Sequence, residues 1–214
     1  MAASGLALLG FVIAHLLGNL TIYLGPEAIN KYAQKLSDLG LLLWVSRFGL
    51  LAAVLVHAVT SVQLARENRA ARPRRYEQFR PRQTTWAART MMASGLLIVV
   101  YVVYHLLHFT FRVTNPDLSH GVDATGHHDV YAMMVLSFRI PLISLAYILG
   151  MAMVCLHLSH GIGSAPQTLG LNNERTLRLF GALGKAIALL LFLGYISIPI
   201  AVLIGVIPAP GIIR

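Results

Sequence analysis

Four histidines lie inside long apolar stretches of this sequence, where an ionisable side chain is unusual. They are His15, His57, His105 and His157, and each belongs to a different stretch. An imidazole is costly to place in hydrocarbon, so it generally faces the inside of a helical bundle and serves a function there. One such histidine alone could be a hydrogen-bonded core residue. One on each of four consecutive stretches indicates metal ligands, because neutral imidazole binds iron through one ring nitrogen.

The stretches that carry these histidines are long enough to be transmembrane helices. About 20 residues at a rise of 1.5 Å cross the roughly 30 Å hydrocarbon core. The sequence predicts five spans, at about 4–24, 39–65, 90–112, 130–160 and 177–207, with a kink allowed at Pro141. Only 12% of the residues are charged and the mean hydropathy is +0.69, which is atypical of a water-soluble domain. We therefore predict an all-α, polytopic membrane protein in which residues 1–214 form one five-helix domain.

The basic residues predict the orientation of the spans. Most of them lie between the second and third spans: Arg66, Arg69, Arg72, Arg74, Arg75, Arg80, Arg82 and Arg89. Lys and Arg concentrate in cytoplasmic loops, so we expect an inner (cytoplasmic) membrane protein with a cytoplasmic N-terminus. Anionic lipid accounts for this basic loop, and no nucleic-acid partner is predicted. The connection at 114–129 would face outside as a solvated loop, and its histidines and aspartates match no standard metal-ligand spacing.

Counting residues along each span puts the four histidines at two depths. His15 and His105 lie in the outer halves of the first and third spans, which enter from inside. His57 and His157 lie late in the second and fourth spans, towards the inside. Two histidines from different helices at each depth suit two stacked haems, each with two axial imidazoles. Small residues near these positions would leave room for a macrocycle but also favour ordinary helix packing: Gly10, Gly18, Ser61, Ser94 and Gly95.

Several other redox sites are excluded by what the sequence lacks. The single cysteine, Cys155, leaves no internal disulfide, no Cys₄ iron–sulfur cluster and no C-x-x-C-H haem attachment. No G-x-G-x-x-G motif follows a strand-like run. His108 and His160 each follow another histidine by three residues and would serve the same depth, so one member of each of these two pairs is not expected to bind iron.

The ordered motifs resemble the cytochrome b558 subunit of succinate dehydrogenase/fumarate reductase, of the single-chain, five-helix, di-haem type. The resemblance covers nearly the whole chain and is carried by HLLGNL at 15–20, NKY at 30–32, Trp44, Arg47, HA at 57–58, Arg66, ARTM at 88–91, SG at 94–95, YHLLHFT at 104–110, HLSHGI at 157–162 and QTLGL at 167–171. The spacings from Gly95 to His105 and from His157 to Gly170 are similar to those around the family's ligands. They favour His105 over His108 and His157 over His160.

The resemblance implies cofactors and partners. It implies two b haems, with His15/His105 and His57/His157 as axial pairs on the haem iron, and a membrane quinone as electron acceptor or donor. It also implies a flavoprotein subunit with FAD and an iron–sulfur subunit docked on the inner face, since this chain carries neither motif. Some relatives have an acidic residue, linked to proton transfer, two positions before the fourth-helix histidine. This chain has Cys155 there, so the resemblance does not extend to that residue.

Two questions stay open at the level of sequence. An acidic residue of the first outer loop, Asp38 or else Glu27, is a candidate for quinone-linked proton transfer. The alternative functions are a cytochrome b anchor of another quinone-linked oxidoreductase and a haem-free proton-relay transporter. A relay would need acidic companions inside the spans, and the spans have almost none.

Overall fold

The computed structural model describes residues 1–71, 89–171 and 173–211. These residues form eight α-helices and no strand, so the predicted all-α membrane bundle is confirmed. Five helical segments are long and apolar enough to cross a membrane, which indicates a multi-pass membrane protein. Much of the predicted basic loop, Arg72 to Arg82, lies outside the described residues, as does Ala88.

The first half of the chain contains two spans joined by a polar helix. Helix α1 (Ala2–Leu20) continues into a 3₁₀ turn, Thr21–Leu24. Gly25, at φ 99°, then reverses the chain in a conformation that L side chains rarely adopt, and Pro26 starts α2 (Pro26–Ser37). Helix α3 (Leu41–Ala70) ends five residues after the predicted span, has no buried residue and packs mainly against α1. Most of its surface is therefore left for lipid.

The third span is followed by a short helix in the predicted outer loop. Helix α4 (Met91–His105) runs directly into a π-helical turn, Leu106–Thr110, and α5 (Pro116–Ser119) follows. In a π turn the backbone hydrogen bonds join residues five apart instead of four, and such turns are frequent at functional sites. The loop around α5 is closed by an antiparallel bridge between Val122 and His128.

The predicted fourth span, 130–160, is two helices in the structure. Helix α6 (Val130–Phe138) ends at Arg139, and α7 (Pro141–Thr168) begins at the proline. Proline has no N–H and disfavours helical geometry at the residue before it, and Ile140 is extended at φ −86°, ψ 111°. The expected kink is therefore a full break, and the fourth membrane helix starts later and ends later than predicted.

The last two spans form the tightest helix contact. Helix α8 (Glu174–Leu203) starts three residues before the predicted span, because the Asn173 side chain caps it by accepting from the Thr176 N–H at 2.8 Å. A Cβ at Gly184 would lie 2.7 Å from the Ser159 carbonyl oxygen of α7. Glycine is thus required for this close approach of two backbones, as is common between membrane helices.

Candidate functional site

The structure brings the four predicted histidines together as two pairs. His15 of α1 faces His105 of α4, with ring centroids 5.8 Å apart and ring planes at 84°. His57 of α3 faces His157 of α7, with centroids 6.3 Å apart and planes at 67°. We call these the outer pair and the inner pair, after the predicted orientation. They are the pairings that the depth argument predicts, while the role of these residues as iron ligands stays a prediction.

The two pairs lie at different levels of the bundle. A Cβ at Gly5 would lie 3.3 Å from Cε1 of His57, and a Cβ at Gly95 would lie 3.6 Å from Cε1 of His157. The inner pair is therefore level with Gly5 of α1 and Gly95 of α4. The outer pair lies ten residues further along the same two helices, which is about 15 Å of helix rise.

Each histidine of the inner pair contacts a serine hydroxyl through Nδ1. The Ser94 Oγ lies 3.1 Å from Nδ1 of His157, and the Ser4 Oγ lies 3.4 Å from Nδ1 of His57. Both hydroxyls already donate to a backbone carbonyl three residues earlier, at 3.1 Å and 2.8 Å. These contacts use only Nδ1, so Nε2 of each ring is left for another partner.

Aromatic rings surround the outer pair. Phe11 stacks on His15 with centroids 5.3 Å apart, and the Tyr195 ring lies 6.4 Å from His15. Tyr101 lies 6.3 Å from His105. The Nδ1 atom of His105 is buried and has no hydrogen-bond partner in the described part of the chain. A buried ring nitrogen without a partner calls for an explanation, and a ligand is one of them.

His108 is close to the outer pair, but both of its ring nitrogens are already engaged. It is fully buried, with Nδ1 at 2.9 Å from the Tyr147 hydroxyl and Nε2 at 3.1 Å from the Ser137 hydroxyl. With one nitrogen accepting and the other donating, a neutral imidazole has no lone pair left for a metal. These contacts engage both nitrogens of His108, while the choice of His105 as the iron ligand stays a prediction.

The remaining sequence candidates lie away from the pairs. Asp38 ends α2 with an exposed side chain, and its Oδ1 accepts from the Gln34 Nε2 at 2.7 Å. It touches neither pair within the described residues. Glu27 is exposed in the first turn of α2, and His160 is half-buried one turn after His157. Cys155 is a free, buried thiol packed between α1, α7 and α8.

The solvated loop predicted between the third and fourth spans has internal hydrogen bonds. The Thr125 hydroxyl donates to Asp123 and, with two backbone N–H groups, holds the pKa of that carboxyl below its usual range. Arg112, at φ 58°, lies with Nη1 3.2 Å from Nδ1 of His128. Burial and then the Arg112 charge lower the pKa of His128. A positive guanidinium beside the ring favours the neutral imidazole as acceptor.

The donor set and spacing fit a haem iron. An iron about 2 Å from one nitrogen on each of two opposed rings would separate the ring centroids by roughly 6 Å. Both observed separations are close to that value. Among the described residues no three His, Cys, Asp or Glu side chains are grouped to hold a bare metal ion. Two imidazoles are too few for a structural zinc site but complete the coordination of an iron that a porphyrin already holds.

The sequence interpretation missed the Ser4-Gly5 dipeptide as part of the site. A signal for it was present, because Ser-Gly precedes His15 and His105 by the same interval in both helices. Comparison of the chain with protein-family models, characterised proteins and solved structures finds no match.

Proposed function

We propose that the chain is the membrane anchor and electron-transfer subunit of a succinate:quinone (or fumarate:quinol) oxidoreductase. In this proposal the outer and inner pairs each bind one b haem. The observation that carries it is the pairing of four intramembrane histidines, one from each of four helices, at two levels with centroid separations of 5.8 and 6.3 Å. A single histidine pair could be chance packing, but two pairs of the same geometry are not readily explained by helix packing alone.

The surroundings of each pair support the binding of a flat, apolar group. Gly5 and Gly95 let the imidazoles of the inner pair lie close to the backbones of α1 and α4, because a Cβ at either position would touch a ring. Helix α3, which carries His57, packs mainly against α1 and has no buried residue, so most of its surface is exposed. Phe11 and Tyr195 provide ring surfaces around His15. Bound haem would supply an iron that cycles between ferric and ferrous states, and the chain would supply ligands, low polarity and orientation.

The partners follow from the resemblance of the sequence. A flavoprotein subunit with FAD and an iron–sulfur subunit would dock at the inner face, and a membrane quinone would exchange electrons at the outer level. The orientation proposed here, with the N-terminus in the cytoplasm, places the inner pair nearer to those subunits. This chain would then carry electrons between the soluble subunits and the quinone without catalysing succinate oxidation itself.

A haem assay on the purified membrane complex tests the proposal. A pyridine haemochrome with redox difference spectra should give two b haems per chain. His57→Ala and His105→Ala should each remove one spectral component, and the component lost should differ between the two variants. His160→Ala is the matched control, since it removes a half-buried imidazole one turn from a ligand and should leave both haems.

Two outcomes would count against the proposal in different ways. A folded, assembled complex without haem would refute it and would favour the proton-relay transporter. Two haems in a complex without flavin and iron–sulfur subunits would favour the anchor of another quinone-linked oxidoreductase. Co-purification with succinate or fumarate activity separates the succinate enzyme from that second case.

A further inference from the structure

The first four spans contain one arrangement twice. In α1 a Ser-Gly dipeptide, Ser4-Gly5, precedes His15, and in α4 the dipeptide Ser94-Gly95 precedes His105. The interval from serine to histidine is eleven residues in both helices (15 − 4 and 105 − 94). Eleven residues make about three turns, so serine and histidine lie within about 20° on one helix face, about 16 Å apart along the axis.

The second helix of each unit repeats the arrangement as well. His57 of α3 lies against the Ser-Gly dipeptide of α1, and His157 of α7 lies against that of α4. The units α1/α3 and α4/α7 are thus equivalent. Equivalent histidines meet each other, since His15 pairs with His105 and His57 with His157. Each pair therefore joins the same position of the two units.

The hydrogen bonds of the two serines favour one tautomer for the inner pair. The Ser94 hydroxyl donates its one hydrogen to the Met91 carbonyl, and the Ser4 hydroxyl donates to the Met1 carbonyl. A hydroxyl has a single hydrogen, so towards the imidazole each oxygen is an acceptor. In this arrangement Nδ1 of His157 and of His57 carries the proton and donates it to the serine. The lone pair of each ring is left on Nε2.

We infer that Ser94, and its equivalent Ser4, are positioning residues that hold His157 and His57 as Nδ1–H tautomers with Nε2 available to the inner haem iron. This inference rests on the proposed function for the identity of the ligand and on the hydrogen-bond geometry for the tautomer. A ligand whose second nitrogen donates a hydrogen bond is a stronger electron donor to the metal. The serines would therefore favour the ferric state of the inner haem.

Redox titration of the assembled complex carrying Ser94→Ala tests this role. Loss of the serine acceptor should raise the ratio of reduced to oxidised inner haem about threefold at a fixed ambient potential. A threefold change corresponds to a rise of about 28 mV in the midpoint potential of the inner haem, at 59 mV per tenfold for one electron. The outer haem should be unchanged. Ser4→Ala should act in the same direction and less strongly, since its contact is longer.

Two further variants keep the test decisive. Ser94→Thr retains the hydroxyl and should restore the wild-type potential. Ser159→Ala, on α7, removes a hydroxyl that donates to the Leu156 carbonyl at 2.8 Å in the same way, and should change neither haem. Selective loss of the inner haem in Ser94→Ala but not in Ser94→Thr also supports the inference. An unchanged inner potential, equal shifts of both haems, or no rescue by threonine overturns it.

Absence of haem is a separate result. If the folded wild-type complex contains none, the proposed function fails, and ¹⁵N NMR of the histidine side chains then reads the tautomer directly. Nδ1–H at His157, lost in Ser94→Ala, supports the positioning by serine without haem. A predominant Nε2–H tautomer in the wild type overturns it.

Discussion

Changing Tyr147 to phenylalanine tests whether His108 is a structural residue and not a haem ligand. The Tyr147 hydroxyl lies 2.9 Å from Nδ1 of His108, which is fully buried and bonds to Ser137 through Nε2. The substitution removes only that hydroxyl and keeps the ring, which packs against Phe109 and Phe138. It therefore leaves one buried ring nitrogen without a partner.

The expected cost follows from that unpaired nitrogen. Leaving a buried polar atom unsatisfied costs about 1–3 kcal/mol, and hydrogen bonds between membrane helices are nearer the lower end. For a chain of this size each kcal/mol lowers Tm by about 2–4 °C, so a cost of about 1–2 kcal/mol lowers Tm by about 2–8 °C. Tyr104→Phe is the matched control, because Tyr104 packs 5.5 Å from His108 in the same aromatic cluster but its hydroxyl is outside this network. It should shift Tm by much less.

The assay is thermal unfolding of the purified complex in detergent, together with its haem content. Tyr147→Phe should unfold earlier than Tyr104→Phe and keep both haems, since His108 is not a ligand in our proposal. Equal Tm values for the two variants would show that the buried network does not stabilise the protein. Loss of a haem in Tyr147→Phe, with haem retained in His105→Ala, would show that the third-helix ligand is misassigned.

Two further predictions concern packing and the outer loop. Gly184→Ala should destabilise the bundle by about 1–3 kcal/mol in the same unfolding assay, because the new Cβ meets the Ser159 carbonyl, whereas Gly181→Ala meets nothing and should be tolerated. In an NMR titration, Arg112→Gln should raise the pKa of His128, because a neighbouring positive charge is removed. Since the pKa of His128 is lowered in the folded wild type, the loop should lose stability as the pH falls below about 6.5, and Arg112→Gln should reduce that loss. A pKa of His128 that is unchanged in the variant would contradict the contact.

The break in the fourth span shows where reading hydropathy along the sequence was insufficient. The sequence is apolar on both sides of Arg139 and Pro141, so a single span from 130 to 160 was predicted. In the structure Pro141 ends α6, and contacts from outside the span hold the start of that helix. Asn30 of α2 donates to Asp129, which caps α6, and accepts from the Tyr131 N–H. The proline sets the break, whereas Asn30, about a hundred positions away, holds the start of α6, and no local pattern contains that contact.

What the sequence by itself determined is the number of membrane helices and the level of each intramembrane histidine. Helices are required because lipid offers the backbone no hydrogen-bond partners, and the rise per residue converts sequence position into depth. The tertiary structure decided which atoms meet at each level. The engagement of His108 by Ser137 and Tyr147, and the contacts of Ser4 and Ser94 with the inner pair, depend on how each helix is rotated about its axis against its neighbours. That rotation is set by side-chain packing across the bundle, which hydropathy and spacing along one helix do not contain.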